Sequence, residues 1–127
     1  MVGLGRWLSR VEQHERALVL FRRALAKGLR DDLMFRTLWD IARLEKKLGK
    51  DEAAIGVFAE LANCKNEFRL GALEELAKHY EHKQRNYSMA LEFTLHALIY
   101  GSSESLLKRR VRLEKRTARR AAAGSLL

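Results

Sequence analysis

The chain has 127 residues, which is long enough for one domain with a buried core, and 47% of them are hydrophobic. A single cysteine excludes an internal disulfide and fits a reducing compartment. The longest apolar stretches, such as residues 17–21, are far shorter than a membrane-spanning helix requires, and the N-terminus lacks the pattern of a secretory signal. These features predict a cytoplasmic protein with no membrane partner.

Basic residues are concentrated at the C-terminus. The formal net charge is +9, and residues 104–127 hold eight lysines and arginines against two glutamates. Residues 1–103 hold seventeen basic and fourteen acidic residues, so this larger part is close to balanced. The C-terminal segment is therefore the basic part of the chain.

Three stretches of the sequence, at 11–25, 48–61 and 84–98, align with one another as an internal repeat. Each contains a small anchor residue, and the anchors are 37 and 36 positions apart. A spacing of i, i+4 and i+7 forms one apolar helix face, on which a small anchor allows a neighbouring helix to approach closely. The three predicted faces are Ala17, Phe21 and Ala24; Ala54, Phe58 and Leu61; and Ala90, Thr94 and Ala97.

Each repeat stretch follows another helical segment, so three helix–turn–helix units are predicted over residues 1–28, 29–65 and 66–101. The first helix of unit one would begin a few residues before Met1. The chain is thus expected to open partway into a repeat, either as a blunt natural start or as the downstream piece of a longer protein.

Helix ends are indicated at several positions of these units. Gly49 is expected to close the first helix of unit two in left-handed backbone, and Gly101 is a candidate C-terminal stop. Asn66 and Asn86 occupy positions where helix N-caps are expected.

A further helix is predicted over residues 104–120, followed by a flexible tail at 121–127. Leu107, Val111 and Ala118 form an apolar stripe on it, flanked by Leu106 and Leu113. We expect this stripe to cover the exposed face of unit three as terminal caps do in repeat proteins. The opposite side would carry most of the bases. The fold class is therefore all-α, with about three antiparallel helix–turn–helix hairpins stacked and capped by a basic C-terminal helix.

The repeat pattern resembles the tetratricopeptide family, although its spacing exceeds the 34 residues of that repeat and the closing proline is absent. The resemblance implies a superhelical stack that binds partners along the first helices of its hairpins. The matching residues are Leu4, Gly5, Ala17, Phe21 and Ala24 in unit one; Ala42, Gly49, Ala54 and Phe58 in unit two; and Ala77, Tyr80, Tyr87, Ala90 and Ala97 in unit three.

A second resemblance covers most of the chain. The run LEELAKHYEHKQRNYSMALEFTLHAL, followed by LLKRRVRLEKR, resembles the C-terminal helical region of bacterial proteins that carry an N-terminal ribonuclease H-like exonuclease domain. The acidic metal-binding motif of that nuclease is absent from the sequence, so no catalytic residue is carried over. The resemblance implies an accessory part of a larger nuclease-like protein.

Glu75, His79 and His82 would lie along one side of a helix and raise the question of a metal or acid/base site. Zinc sites on one helix normally use histidines four apart together with a third ligand from elsewhere, whereas these two are three apart. We therefore interpret the cluster as part of the repeat and predict no metal or cofactor. No serine sits in a strained glycine elbow and Cys64 has only Lys65 beside it in the sequence, so no enzyme activity is expected.

Two basic surfaces are candidates for binding. The groove positions of the tetratricopeptide family map onto a cationic set with one tryptophan, which suits an acidic or extended protein segment: Arg6, Arg36, Trp39, Arg43, Lys46 and Lys78. The alternative for this set is an ordinary solvated face. The C-terminal helix is the second candidate, and its arginines could contact nucleic-acid phosphates or only keep a capping helix hydrated: Arg109, Arg112, Arg116 and Arg120.

The leading hypothesis from the sequence is a non-catalytic protein-interaction module. The alternative is a module that binds nucleic acid directly through its basic C-terminal helix.

Overall fold

The structure is a computed structural model that describes residue 19 and residues 31–125. Residues 31–125 form five α-helices and no strand, which confirms the all-α class for this part of the chain. The helices are α1 (Asp31–Lys47), α2 (Asp51–Ala62), α3 (Arg69–His82), α4 (Tyr87–Tyr100) and α5 (Glu104–Ser125). The chain divides into two compact units, residues 1–61 and 62–127. None of the five helices has the length and hydrophobicity to span a bilayer.

A short turn connects α1 to α2. Gly49 has a φ angle of 77°, which is left-handed backbone that glycine adopts without a steric penalty, so the predicted cap is confirmed. The N–H groups of Gly49 and Lys50 donate to the carbonyls of Lys46 and Glu45 at 3.1 and 2.8 Å. These bonds satisfy carbonyls at the C-terminal end of α1 that the helix itself leaves open.

The core of the first unit includes the predicted repeat face. Ala54, Phe58 and Leu61 of α2 are all buried, and α1 contributes the buried Ile41. The rings of Trp39 and Phe58 meet edge to face with their centroids 5.5 Å apart. The small anchor Ala54 and the aromatic Phe58 four positions later are thus buried, as the sequence pattern predicted.

The second unit contains α3, α4 and α5, and α3 packs against α4. The predicted anchor positions Ala90, Thr94 and Ala97 are fully buried, together with Leu73 and Leu76 of α3. The Thr94 hydroxyl donates to the carbonyl of Ala90 at 2.7 Å, which satisfies this polar group within the core.

The two predicted asparagine caps have different outcomes. Asn86 is the N-cap of α4, because its side-chain oxygen accepts the Met89 N–H at 3.2 Å. Asn66 is not the N-cap of α3, which is Phe68. Instead, the Asn66 side-chain oxygen accepts the Phe68 N–H at 2.8 Å, so it forms a turn immediately before the helix.

Gly101 ends α4 as predicted, at a point where the backbone becomes extended. Its φ angle of 178° is extended, and its N–H donates to the Ala97 carbonyl at 3.2 Å. A Cβ atom at this position would lie 2.9 Å from Cδ2 of Leu70. A larger residue would therefore require Leu70 to move.

Helix α5 packs against α4. Its first turn is stabilised by the Ser103 hydroxyl, which accepts the Leu106 N–H at 3.1 Å. The helix continues to Ser125 and so includes most of the segment at 121–127 that was expected to be a flexible tail. Residues 121–123 are alanines, the strongest helix formers, which explains the extension.

The buried face of α5 is not the predicted one. Leu106 and Leu113 are 1% and 0% exposed, whereas Leu107 and Val111 are 42% and 45% exposed. Ala118, the third member of the predicted stripe, is also exposed. The prediction was wrong by one residue in register, which corresponds to a rotation of about 100° around the helix axis.

Candidate functional site

A buried carboxylate on α3 explains how α5 is rotated. The Glu81 side chain is 1% exposed and accepts hydrogen bonds from Nη1 of Arg109 and from two nitrogens of Arg112. Arg112 forms a bidentate pair with Glu81, with Nε 2.6 Å from Oε2 and Nη2 2.8 Å from Oε1. A buried carboxylate is costly unless it is paired, so both arginines must face α3. When Arg109 and Arg112 face α3, the predicted apolar stripe of Leu107, Val111 and Ala118 faces solvent.

The charges around Glu81 keep it ionised. Burial on its own raises the pKa of Glu81, but the hydrogen bond and charge of Arg112, with the charges of Arg109 and His82, outweigh burial and lower the pKa below its usual value. The hydrogen bond to Glu81 in turn raises the pKa of Arg112. We refer to Glu81, Arg109 and Arg112 as the carboxylate clasp.

The clasp separates the four arginines proposed as nucleic-acid contacts into two pairs. Arg109 is buried and Arg112 is partly exposed, and both bind Glu81, so Arg109 does not belong to the open basic face that the sequence predicted. Arg116 and Arg120 are exposed, and their guanidinium carbons lie 4.9 and 5.2 Å from the centre of the Tyr87 ring. These distances allow cation–π contact with α4.

An open surface on the solvent side of α5 is formed entirely by residues of this helix. Its apolar part is Leu107 and Val111, one helical turn apart. Lys108 pairs with Glu104 at 3.0 Å, at the start of the helix. We define the outer face as Leu107, Lys108, Val111, Lys115 and Arg119.

The candidate residues on α1 lie along one side of that helix. Arg36, Trp39, Arg43 and Lys46 follow each other at intervals of three or four residues, so they share a face. Arg36, Arg43 and Lys46 are exposed, whereas Trp39 is half-buried against Phe58. We refer to these four residues as the α1 face.

The two other groove candidates are not on α1. Lys78 belongs to α3 in the second unit, where its Nζ lies 3.5 Å from Oε1 of Glu75. Arg6 lies outside the residues that the structure describes.

The histidine cluster is divided among separate neighbours. Glu75 pairs with Lys78, the His79 ring lies edge-on to Tyr80 with centroids 5.4 Å apart, and Nε2 of His82 is 3.7 Å from Oε1 of Glu81. Across residues 31–125, no group of three or more His, Cys, Asp or Glu side chains is arranged to hold a metal ion.

Glu81 is the residue that sequence reasoning missed. It follows Leu73 and Ala77 at the same four-residue interval, so it continues a buried stripe of α3. An acidic residue on a buried stripe requires cationic partners, and this was the signal available in the sequence.

Comparison with known proteins finds a curated relative, of whose length this chain covers a small part. No protein-family model matches it, and no solved structure matches it significantly. It is 28% identical over 91 residues to the uncharacterized protein YprB of Bacillus subtilis (strain 168). The aligned part covers 71% of this chain but 22% of YprB, so the chain spans about a fifth of the length of this curated relative.

Proposed function

We propose that the chain is a non-catalytic interaction module of a longer bacterial protein, with a tetratricopeptide-like stack of helical hairpins. The repeat is supported by the burial of equivalent positions in the two units, such as Ala54 with Phe58 and Ala90 with Thr94. A role as one part of a longer protein is supported by the partial coverage of YprB. The resemblance to C-terminal regions of ribonuclease H-like proteins is the basis for expecting a nuclease-like neighbour.

The α1 face is the proposed binding surface for an acidic, extended protein segment. The observation that carries this proposal is the exposure of Arg36 and Arg43 on the same side of α1 as Trp39. Guanidinium groups bind carboxylates through paired hydrogen bonds, and the exposed part of the indole ring offers an apolar contact beside them. First helices of hairpins line the binding groove in repeat proteins of this kind.

Fluorescence anisotropy with a short labelled peptide that alternates Glu and Leu tests this surface. The Arg36→Glu/Arg43→Glu variant should bind about tenfold or more weakly, equivalent to about 1.4 kcal/mol. The control variant Lys65→Glu/Lys83→Glu makes the same change of charge at exposed positions of the second unit. Equal losses in both variants would show a response to net charge alone and contradict the α1 face as the site.

Nucleic acid is the second candidate partner, favoured by the C-terminal half of α5. Beyond the buried Leu113, four basic side chains are exposed: Lys115, Arg116, Arg119 and Arg120. The only acidic residue in this half, Glu114, lies 3.7 Å from Arg110. A row of exposed cations can bind phosphates without reading base sequence.

A salt titration with single- and double-stranded oligonucleotides tests this candidate. Replacing Arg116, Arg119 and Arg120 with Gln should weaken binding similarly for all sequences and flatten the logarithmic salt slope by about 0.9 per lost duplex contact. The control replaces Lys65, Lys83 and Arg85, which are exposed elsewhere in the second unit, with Gln. Unchanged affinity and slope in the Arg116/Arg119/Arg120 variant would exclude these side chains as phosphate contacts.

A further inference from the structure

The outer face of α5 exposes aliphatic residues that the fold does not use. Leu106 and Leu113 supply the packing of this helix in the core, yet Leu107 and Val111 form an exposed ridge about 100° away around the helix axis. Ala118 lies on the same side two turns beyond Val111, with the exposed Glu114 between them, so the apolar ridge itself is Leu107 and Val111. Adjacent exposed aliphatic side chains that contribute little to the core indicate an interaction surface.

Positive charge lies along one edge of this ridge. In helical register, Lys108, Lys115 and Arg119 follow one another beside Leu107 and Val111. Lys108 is countered by Glu104, but within residues 31–125 no carboxylate forms an ion pair with Lys115 or Arg119. The outer face thus offers an apolar ridge with available cations on one side.

Only one kind of partner matches both features. Nucleic acid supplies anions but leaves an aliphatic ridge uncovered. A second copy of this chain, with a net charge of +9, would bring cations against cations. A membrane surface favours a wide apolar side with aromatic residues, whereas α5 has its other apolar side buried and contains no aromatic residue.

We infer that the outer face of α5 is a docking site for an acidic amphipathic helix of a partner protein. The apolar side of the partner helix covers Leu107 and Val111, and its carboxylates lie beside Lys115 and Arg119. Amphipathic helices bind the apolar surfaces of other partner proteins in the same way. This inference rests on the proposed function as an interaction module and assigns a second partner surface, separate from the α1 face.

The probe is a labelled peptide with Leu at the first and fourth positions of each heptad and Glu and Gln at the others. Anisotropy should detect binding of this peptide to the wild-type chain, and circular dichroism should show a gain of helix on mixing. A scrambled peptide of the same composition should bind at least tenfold more weakly, because its leucines do not form one side of a helix.

Two variants of the protein test the two features of the outer face. Leu107→Ser/Val111→Ser and Lys115→Glu/Arg119→Glu should each weaken binding of the heptad peptide at least tenfold. Leu95→Ser is the matched control, because Leu95 is a similarly exposed aliphatic residue on α4 and its replacement should leave binding unchanged. Thermal melts of all variants establish that each is folded before binding is compared.

Several results would overturn the inference. The first two are equal binding of the scrambled and heptad peptides and no binding of either peptide. The third is wild-type affinity for the heptad peptide in the Leu107/Val111 variant. The fourth is binding to phosphatidylglycerol vesicles, in place of the peptide, that is lost in the Leu107/Val111 variant. The Arg36→Glu/Arg43→Glu variant is measured in parallel with the alternating Glu and Leu peptide. If that variant loses its peptide while the α5 variants behave as wild type, the proposed function stands and the outer-face inference fails.

Discussion

The inner and outer sides of α5 carry similar apolar residues in opposite environments. Leu106 and Leu113 are buried, while Leu107 and Val111, one residue away in register, face solvent. The hydrophobicity of these residues does not by itself determine which of the two stripes is buried. The choice is made by Glu81, a single buried carboxylate on α3 that binds Arg109 and Arg112. A charged interaction can therefore set the rotation of a helix whose burial is mainly apolar.

The largest loss of stability is expected from substitutions on the inner side of α5. Replacing Leu106 and Leu113 with Ala removes two buried side chains and leaves cavities, so the free energy of unfolding should fall by about 4–7 kcal/mol in total. Urea denaturation of the double variant measures this change. A loss no greater than that of the corresponding outer-side variant would show that the two sides are energetically equivalent.

The next largest effect is expected from Glu81→Gln, which keeps the shape of the side chain but removes its charge. Arg109 would then be a buried cation without a counter-charge, and stability should fall by about 2–4 kcal/mol, reduced somewhat because Arg112 is partly exposed to water. Glu92→Gln, at an exposed position of α4, is the control and should have almost no effect. Equal stability of the two variants would contradict the role of the clasp.

Acid should remove the stabilisation that the Glu81 charge provides. Because the pKa of Glu81 is lowered in the folded chain, its stabilisation is fully present above the ordinary carboxyl pKa of about 4.3 and is lost as the pH falls through the lower folded value. The difference in unfolding free energy between wild type and Glu81→Gln should therefore be constant from about pH 7 to about pH 5 and shrink below about pH 4. Urea titrations at several pH values measure it. A difference that grows on acidification would reverse the expected sign.

A smaller effect is expected where the C-terminal half of α5 meets α4. Tyr87→Leu removes the ring beneath Arg116 and Arg120 and should cost about 0.5–1 kcal/mol. Tyr87→Phe retains the ring and should melt close to wild type. If the two variants lose the same stability, the ring face does not contribute and the hydroxyl group does.

The smallest effect is expected on the outer side. Replacing Leu107 and Val111 with Ala should change stability by no more than about 0.5 kcal/mol, because both side chains are nearly half exposed and alanine favours the helix. Thermal melts compare this variant directly with the Leu106/Leu113 variant. A loss of several kcal/mol would mean that the outer stripe packs against the rest of the chain.

The parts of the fold that depend on nearby residues could be predicted from the sequence. The small anchors Ala54 and Ala90 are buried, and so are Phe58 and Thr94 four positions later. Their burial could be predicted because the apolar spacing that indicates it lies within about one helix turn. The left-handed Gly49 is local information of the same kind.

The rotation of α5 could not be predicted in this way, because it depends on a residue of another helix. Two apolar stripes were available, and the position of Glu81 relative to Arg109 and Arg112 favours burial of the inner one. The same limit applies to the candidate sites. Spacing placed Arg36 and Arg43 on one face, but it did not separate Arg109, which is buried, from Arg116, which is exposed.

The carboxylate clasp also has a consequence for the order in which the helices of the second unit fold. Glu81 is separated from Arg109 by 28 positions and from Arg112 by 31. In the partly folded chain α3 and α4 can pair before α5 docks, and the Glu81 carboxylate then remains hydrated. Because contacts close in sequence form before distant ones, docking of α5 is a late step that withdraws Glu81 from water only when both arginines have arrived.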